Sequence, residues 1–154
     1  MKNCHPSTRN RRGERGAALL ELALTLPLLL LVSVGIFEFG RCYQTWQVVT
    51  NAAREGARLA VLPSANSGAI EARIRGYMQD GQLVDVASAT VTIDSNSTIP
   101  VGAANASASV VTVTYPFNFI VLNPVARLVV GGSGLGSAPV TITASSAMRN
   151  ETQF

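Results

Sequence analysis

One long apolar run dominates the pattern of hydrophobic and polar positions along the chain. Residues 17–37 contain a single charged residue, Glu21, and basic residues precede the run. As a helix these 21 residues rise about 31 Å, which matches a hydrocarbon core of about 30 Å. No A-x-A-like cleavage site follows, so the run predicts a retained transmembrane helix rather than an ordinary signal peptide. Pro27 predicts a kink or a locally loosened turn within it.

Residues 38–62 change to an amphipathic pattern and continue the same helix until Pro63. The predicted apolar stripe comprises Phe39, Tyr43, Trp46, Ala53, Ala57 and Ala60. The predicted polar face comprises Glu38, Arg41, Gln44, Gln47, Asn51, Arg54, Glu55 and Arg58. We expect the stripe to pack on the sheet of the same chain, and contact with other subunits is the alternative. Tyr43 and Trp46 also lie where an interfacial aromatic belt would be.

The rest of the chain, residues 63–154, predicts a small α+β domain. A short helix over 66–82 has Asn66 or Ser67 as its cap and Gly81 at its end. A period of two then predicts strands near 84–94, 107–121 and 139–146, with a turn over 94–102, a short helix over 123–130, a flexible loop over 131–137 and a polar tail over 148–154. Pro116 predicts an edge position or a bulge. The predicted fold class is α+β, with a long transmembrane helix continuing into a domain that has a three-stranded antiparallel sheet.

Charge separates the chain into a basic leader and a nearly neutral body. Residues 1–16 carry a net charge of +4, whereas the remaining residues carry about −1. Basic residues directly before an apolar run indicate a cytoplasmic leader and a domain on the other side of the membrane. The leader is predicted to be unstructured. The basic composition therefore does not predict a nucleic-acid partner.

Residues able to carry chemistry are scarce. His5 is the only histidine, and the loop over 131–137 has glycines but lacks the lysine of a phosphate-binding loop. We therefore expect no enzyme activity, no metal and no cofactor. Cys4 and Cys42 lie on opposite sides of the predicted membrane segment, so they cannot pair within one chain. Cys42 is either a small buried residue or the site of an intermolecular disulfide.

Glu21 is an acid within the predicted membrane helix, and its presence there needs an explanation. An acid at the centre of a membrane helix costs about 2.5–3.5 kcal/mol on insertion scales. It lies near the helix start, so its side chain either reaches the membrane surface or has a specific partner. Position alone does not separate the two.

The residues around Glu21 resemble a type IV prepilin cleavage motif: Gly16 ends the basic leader and Glu21 is the fifth residue after it. The segments ERGAALLELALTLPLLLL, GIFEFGR and TNAAREGARLAV resemble the TadE-like pseudopilins of the tight-adherence (Tad) pilus. The resemblance is strong over 12–62, weaker over 110–121 and 140–151, and negligible over 64–105.

The resemblance implies a pilin-like domain and specific working residues. A prepilin peptidase would cut between Gly16 and Ala17, and Glu21 would pair with the new terminus of a neighbouring subunit during assembly. The family-like motif comprises Asn51, Arg54, Glu55, Gly56 and Arg58. The implied partners are membrane lipid, the prepilin peptidase, other pilins or pseudopilins, and Tad inner-membrane assembly proteins.

The implied function is that of a minor pilin or pseudopilin in Tad pilus assembly or secretion, supporting adhesion. The expected location is the bacterial inner membrane, as a single-pass protein with a cytoplasmic amino terminus and a periplasmic or extracellular domain, with incorporation into a surface pilus. The alternative is a single-pass, envelope-anchored binding or scaffold protein unrelated to pili.

Overall fold

The structure is a computed structural model that describes residues 11–102, 104–124 and 139–150, except for the side chains of 11–15 and 104. Two helices come first, α1 (Arg11–Ala60) and α2 (Ser67–Asp80). Three strands follow, β1 (Thr90–Val101), β2 (Ala104–Phe117) and β3 (Val140–Arg149). The chain divides into two compact units, Met1–Phe37 and Glu38–Phe154. The predicted loop over 131–137 and most of the predicted helix over 123–130 lie outside the described residues.

In the first unit, α1 is helical from Arg11 and continues through Pro27. Two hydroxyl side chains return to the helix backbone: Thr25 donates to the carbonyl of Leu22 at 3.4 Å, and Ser33 donates to that of Leu29 at 2.9 Å. Such bonds satisfy polar side chains locally within an apolar segment. The prediction of an unstructured leader is wrong for residues 11–16, because the helix begins five residues before Gly16.

In the second unit, the buried face of α1 is built mainly from small residues. Val49, Ala52, Ala53 and Ala57 are fully buried. The short side chains let α2 and the sheet approach the helix closely. The predicted packing of the sheet on this half of the helix is therefore confirmed.

The predicted stripe is wrong in the first two turns of this unit. Phe39 is 64% exposed, and Tyr43 and Trp46 are exposed as well, whereas Glu38 is 1% exposed. The buried face runs through Glu38, Cys42 and Val49, which repeat at helical spacing. A neighbouring loop supplies hydrogen-bond donors for Glu38, so this position holds an acid on the inner face.

Helix α2 forms as its sequence predicts. The side chain of Asn66 caps it by accepting from the backbone N–H of Ala69 at 2.7 Å, and Gly81 follows its last residue. Ile70, Ile74 and Met78 are buried on its inner face.

The three strands form one antiparallel sheet in the order β1-β2-β3, which confirms the predicted fold class. The predicted turn over 94–102 is wrong, because β1 continues to Val101 past an irregularity between Asp94 and Ser97. The predicted start at 84 is also wrong, since Val86–Ser88 forms a 3₁₀ turn and the strand begins at Thr90. Gly102, with a φ of +64°, begins the tight connection to β2.

Pro116 lies in the central strand rather than in an edge strand. Pairing between β1 and β2 begins at Thr90 opposite Thr114, whereas β3 pairs with β2 as far as Phe117 opposite Val140. Pro116 is therefore in a part of β2 that has a neighbour on one side only. A missing N–H costs little there, because no ladder bond is lost on the open side.

Polar side chains secure the end of α1. The hydroxyl of Ser109 lies 3.2 Å from the carbonyl oxygen of Ala60 and 2.6 Å from Asn150 Oδ1, and its single proton is shared between these two acceptors. The backbone N–H of Asn150 donates to Ser107, so the chain is still paired after β3. The predicted polar tail is wrong for Met148 and Arg149, which belong to β3.

Candidate functional site

The predicted processing residues lie on an exposed and continuous stretch of helix. Gly16, Ala17 and Glu21 are all exposed. A Cβ atom built on Gly16 would have nothing within 4 Å. Glu21 makes no hydrogen bond or ion pair with the side chains that the structure describes. The described residues therefore give no internal reason for a glycine at 16 or an acid at 21.

The segment that follows presents apolar side chains on all sides. Its large exposed residues are Leu19, Leu20, Leu22, Leu24, Leu26, Leu28, Leu29, Leu30, Leu31, Val32, Ile36 and Phe37. The helix is long and apolar enough to cross a membrane, and none of its most apolar window is buried. A core helix of a soluble protein would bury such residues. This surface therefore requires lipid or other protein chains around it.

The family-like motif divides into residues with different structural roles. A Cβ atom on Gly56 would lie 2.5 Å from Ile74 Cδ1, so this glycine permits the contact between α1 and α2. Glu55 joins the same two helices, since Arg73 donates to its Oε1 from Nη2 at 3.0 Å and from Nε at 3.2 Å. These residues hold the helical pair together.

The other motif residues are on the surface. Arg54 donates to Asn51 Oδ1 at 3.4 Å, which is a weak contact one turn away. Arg58 lies 3.9 Å from Glu55, and its side chain is 77% exposed. An exposed ion pair at this distance contributes little to stability. Neither Arg54 nor Arg58 is needed for the packing of the domain.

Glu38 is a buried acid that sequence analysis placed on the wrong face. Its carboxylate accepts from the backbone N–H of Ile120 at 3.0 and 3.1 Å and from that of Val121 at 3.1 Å. Arg41 Nη1 lies 3.6 Å from its Oε2. The helical spacing of Glu38, Cys42 and Val49 is the sequence signal that indicates a buried position for Glu38. The charge of Glu38 instead led to its assignment to the polar face.

Arg41 connects Glu38 with the end of β2. Its guanidinium lies over the ring of Phe117, 5.3 Å from the centroid. Nη1 is buried and has no hydrogen-bond partner among the described residues, so Glu38 provides its charge compensation. This arrangement places a cation between a carboxylate and an aromatic face, both of which favour it.

Tyr115 lies on the same side of the second unit as Arg41. Its hydroxyl donates to the carbonyl of Val84, which ties β2 to the segment before β1. Burial raises the pKa of Tyr115, with an additional upward contribution from Asp85 and a downward one from Arg41. A cleft of about 450 Å³ lies between Arg41, Asp85 and Tyr115. Among the described residues no group of three or more His, Cys, Asp or Glu side chains is placed to hold a metal ion.

Comparison with protein families gives a match to part of the chain. The family described as TadE-like protein matches residues 16–58, which confirms the resemblance over this part of the chain. The match covers less than half of the 154 residues. All eight predicted site residues lie within the matched segment. Comparison with curated proteins and with solved structures gave no match.

Proposed function

Since residues 16–58 of this chain are TadE-like, we propose that the protein is a minor pilin or pseudopilin of a Tad-type pilus. It takes part in pilus assembly or secretion and thereby supports adhesion. The observation that carries this proposal is the agreement between the start of the match and Gly16. Among the described residues nothing lies within 4 Å of a Cβ atom built on that glycine, and an exposed apolar helix follows it directly.

Processing is the first step of the proposed function. In this scheme residues 1–16 form a cytoplasmic leader, and a prepilin peptidase removes it by cutting between Gly16 and Ala17. Exposure of both residues on the helix surface supports access by an enzyme. Residues 17–37 cross the inner membrane, residues 38–62 extend the helix, and residues 63–154 complete a periplasmic or extracellular domain.

Assembly is the second step. Cutting creates an α-amino group at Ala17, and Glu21 of a neighbouring subunit pairs with it. The pairing compensates both charges in a poorly solvated place and sets the register between subunits. The absence of a partner for Glu21 among the described side chains supports a partner from another chain.

The motif contributes in two ways. Gly56 and Glu55 keep α1 and α2 together, while the exposed Arg54 and Arg58 face outward for other Tad components. The partners of the protein are accordingly membrane lipid, the prepilin peptidase, other pilins or pseudopilins, and Tad inner-membrane assembly proteins.

Co-expression with a prepilin peptidase tests the processing step. Mass spectrometry should find a mature chain that starts at Ala17, and Gly16→Val should leave a precursor 16 residues longer. Gly13→Val is the matched control, because it alters a leader glycine away from the proposed cut and should be processed. An intact leader in the wild-type chain would reject the proposal and favour a single-pass envelope-anchored protein.

Glu21→Ala tests the assembly step separately. Membrane insertion should be retained, since removal of an acid favours lipid, whereas pilus output should fall. Thr25→Ala is the control, because it removes a polar group one turn further along without removing a charge. Normal pilus output from Glu21→Ala would disprove the assembly role while leaving processing untouched.

A further inference from the structure

The loop after β2, residues 118–121, carries exposed apolar side chains at one particular end of the second unit. Ile120 is 63% exposed and Val121 is 39% exposed. Phe119 packs edge-on against Phe39, with ring centroids 5.8 Å apart, and Phe39 is itself exposed. The exposed apolar side chains of Phe39, Ile120 and Val121 therefore lie on or beside one short loop.

Glu38 determines where this loop lies. Its carboxylate holds the backbone N–H groups of Ile120 and Val121 at 3.0–3.1 Å. Glu38 directly follows Phe37, the last residue of the apolar run. The loop is therefore bound to the first residue of the second unit.

We propose that the 118–121 loop inserts its apolar side chains into the headgroup layer of the bilayer that α1 crosses. This inference rests on the proposed membrane anchoring. The polar layer on each side of the hydrocarbon core is about 5–7 Å thick, and a loop bound to the residue after Phe37 lies within reach of it. Arg41 adds a partly exposed cation beside the loop, which suits lipid phosphates.

Other parts of the same unit are too far along the helix to share this contact. Arg58 lies twenty residues after Glu38 on α1, which corresponds to about 30 Å of helical rise. The proposed contact is therefore confined to one end of the domain, and Arg58 provides a control position at the other end.

Site-directed fluorescence in full-length protein tests the proposal. Cys4 and Cys42 are replaced by Ser, and an environment-sensitive dye is attached to Ile120→Cys, Arg58→Cys or Leu30→Cys in separate preparations. Each is reconstituted into single-copy nanodiscs of phosphatidylethanolamine and phosphatidylglycerol, with or without lipid that is spin-labelled at the headgroup or along the acyl chain. All three positions are exposed, so labelling leaves the buried core intact.

The dye at position 120 should show blue-shifted emission. Its fluorescence should be quenched more strongly by headgroup-labelled lipid than by lipid labelled along the acyl chain. Leu30 should be quenched by acyl-chain labels, and Arg58 by neither. Quenching at Leu30 without quenching at Ile120 would overturn the loop contact but leave membrane anchoring in place. If the dye at Leu30 is not quenched, anchoring itself fails, and the inference fails with it.

A second copy of the chain is the other possible occupant of the loop surface. It would give a blue shift at Ile120 in vesicles that disappears in single-copy nanodiscs and does not respond to labelled lipid. That outcome would overturn the proposal. Hydrogen exchange of the unlabelled wild-type chain gives an independent measurement: amides of residues 119–122 should exchange more slowly in nanodiscs than in detergent, and equal rates would contradict the lipid contact.

Discussion

Replacement of Glu38 is the perturbation that most directly probes the architecture of the second unit. Glu38→Ala removes the acceptor for the amides of Ile120 and Val121 and the charge that faces Arg41. Glu38→Gln keeps the size of the side chain and one acceptor oxygen but removes the charge. The two variants therefore separate the hydrogen bonds from the ionic contribution.

The expected magnitude follows from the number of donors. Hydrogen bonds to a charged group contribute about 1.5–3 kcal/mol each, and two backbone donors reach the carboxylate. Both donors belong to exposed residues, so water replaces part of each bond and the lower value applies. We expect Glu38→Ala to lower the free energy of unfolding by about 3 kcal/mol and Glu38→Gln by about half of that.

Urea unfolding of the full chain in detergent micelles measures these losses. Trp46 is the only tryptophan, so its emission reports on the second unit. The slope of the unfolding free energy with urea should stay constant while the midpoint falls. Hydrogen exchange should also become faster at Ile120 and Val121 in both variants.

The control for Glu38 is a partly exposed acid with an arginine partner. Glu71 accepts from Arg75 at 2.7 Å on the surface of α2, and Glu71→Gln should cost less than about 1 kcal/mol. If Glu38→Ala costs no more than Glu71→Gln, the buried carboxylate does not stabilise the loop. Unchanged exchange at Ile120 would refute the same reasoning independently.

Two further predictions concern packing and pH. Gly56→Ala should destabilise the second unit by about 1–2 kcal/mol, because overpacking against the buried Ile74 outweighs the gain in helix propensity. Gly76→Ala has open space and should instead stabilise by up to about 1 kcal/mol; the same sign for both in urea unfolding would contradict the argument. The raised pKa of Tyr115 means that the folded state keeps this proton to higher pH than the unfolded chain. The contribution of Tyr115 to stability should therefore be constant below pH about 10 and be lost above it. Tyr115→Phe should flatten that alkaline loss and cost about 1 kcal/mol at neutral pH through the bond to Val84, and an equally steep loss in the variant would refute the assignment.

Local signals in the sequence were sufficient for several elements. Asn66 and Gly81 bound α2 because a cap side chain and a glycine act within one turn. Alternation of apolar residues predicted the three strands, because a period of two is likewise a local property, set by the strand itself. The TadE-like segment was recognisable because its residues are contiguous along the chain.

Errors arose where a residue's neighbours come from distant parts of the chain. Residues 94–101 read as a turn from their Asn, Ser and Pro content, but pairing with β2 extends β1 through them. Pro116 predicted an edge position or a bulge; its strand is central, but β1 begins opposite Thr114, so Pro116 has a neighbour on one side only. In each case the partner strand, rather than local propensity, decided the outcome.

The sequence by itself determined the apolar helix, the TadE-like segment and the α+β class, because these follow from composition and spacing within single segments. Only the tertiary structure decided which face of α1 is buried. Glu38 reads as a solvent-facing residue because a lone carboxylate avoids burial, yet it is buried once the amides of Ile120 and Val121 supply donors. Phe39, Tyr43 and Trp46 read as core residues, yet they are exposed, because the inner face of α1 at this level carries Glu38, Cys42 and Val49.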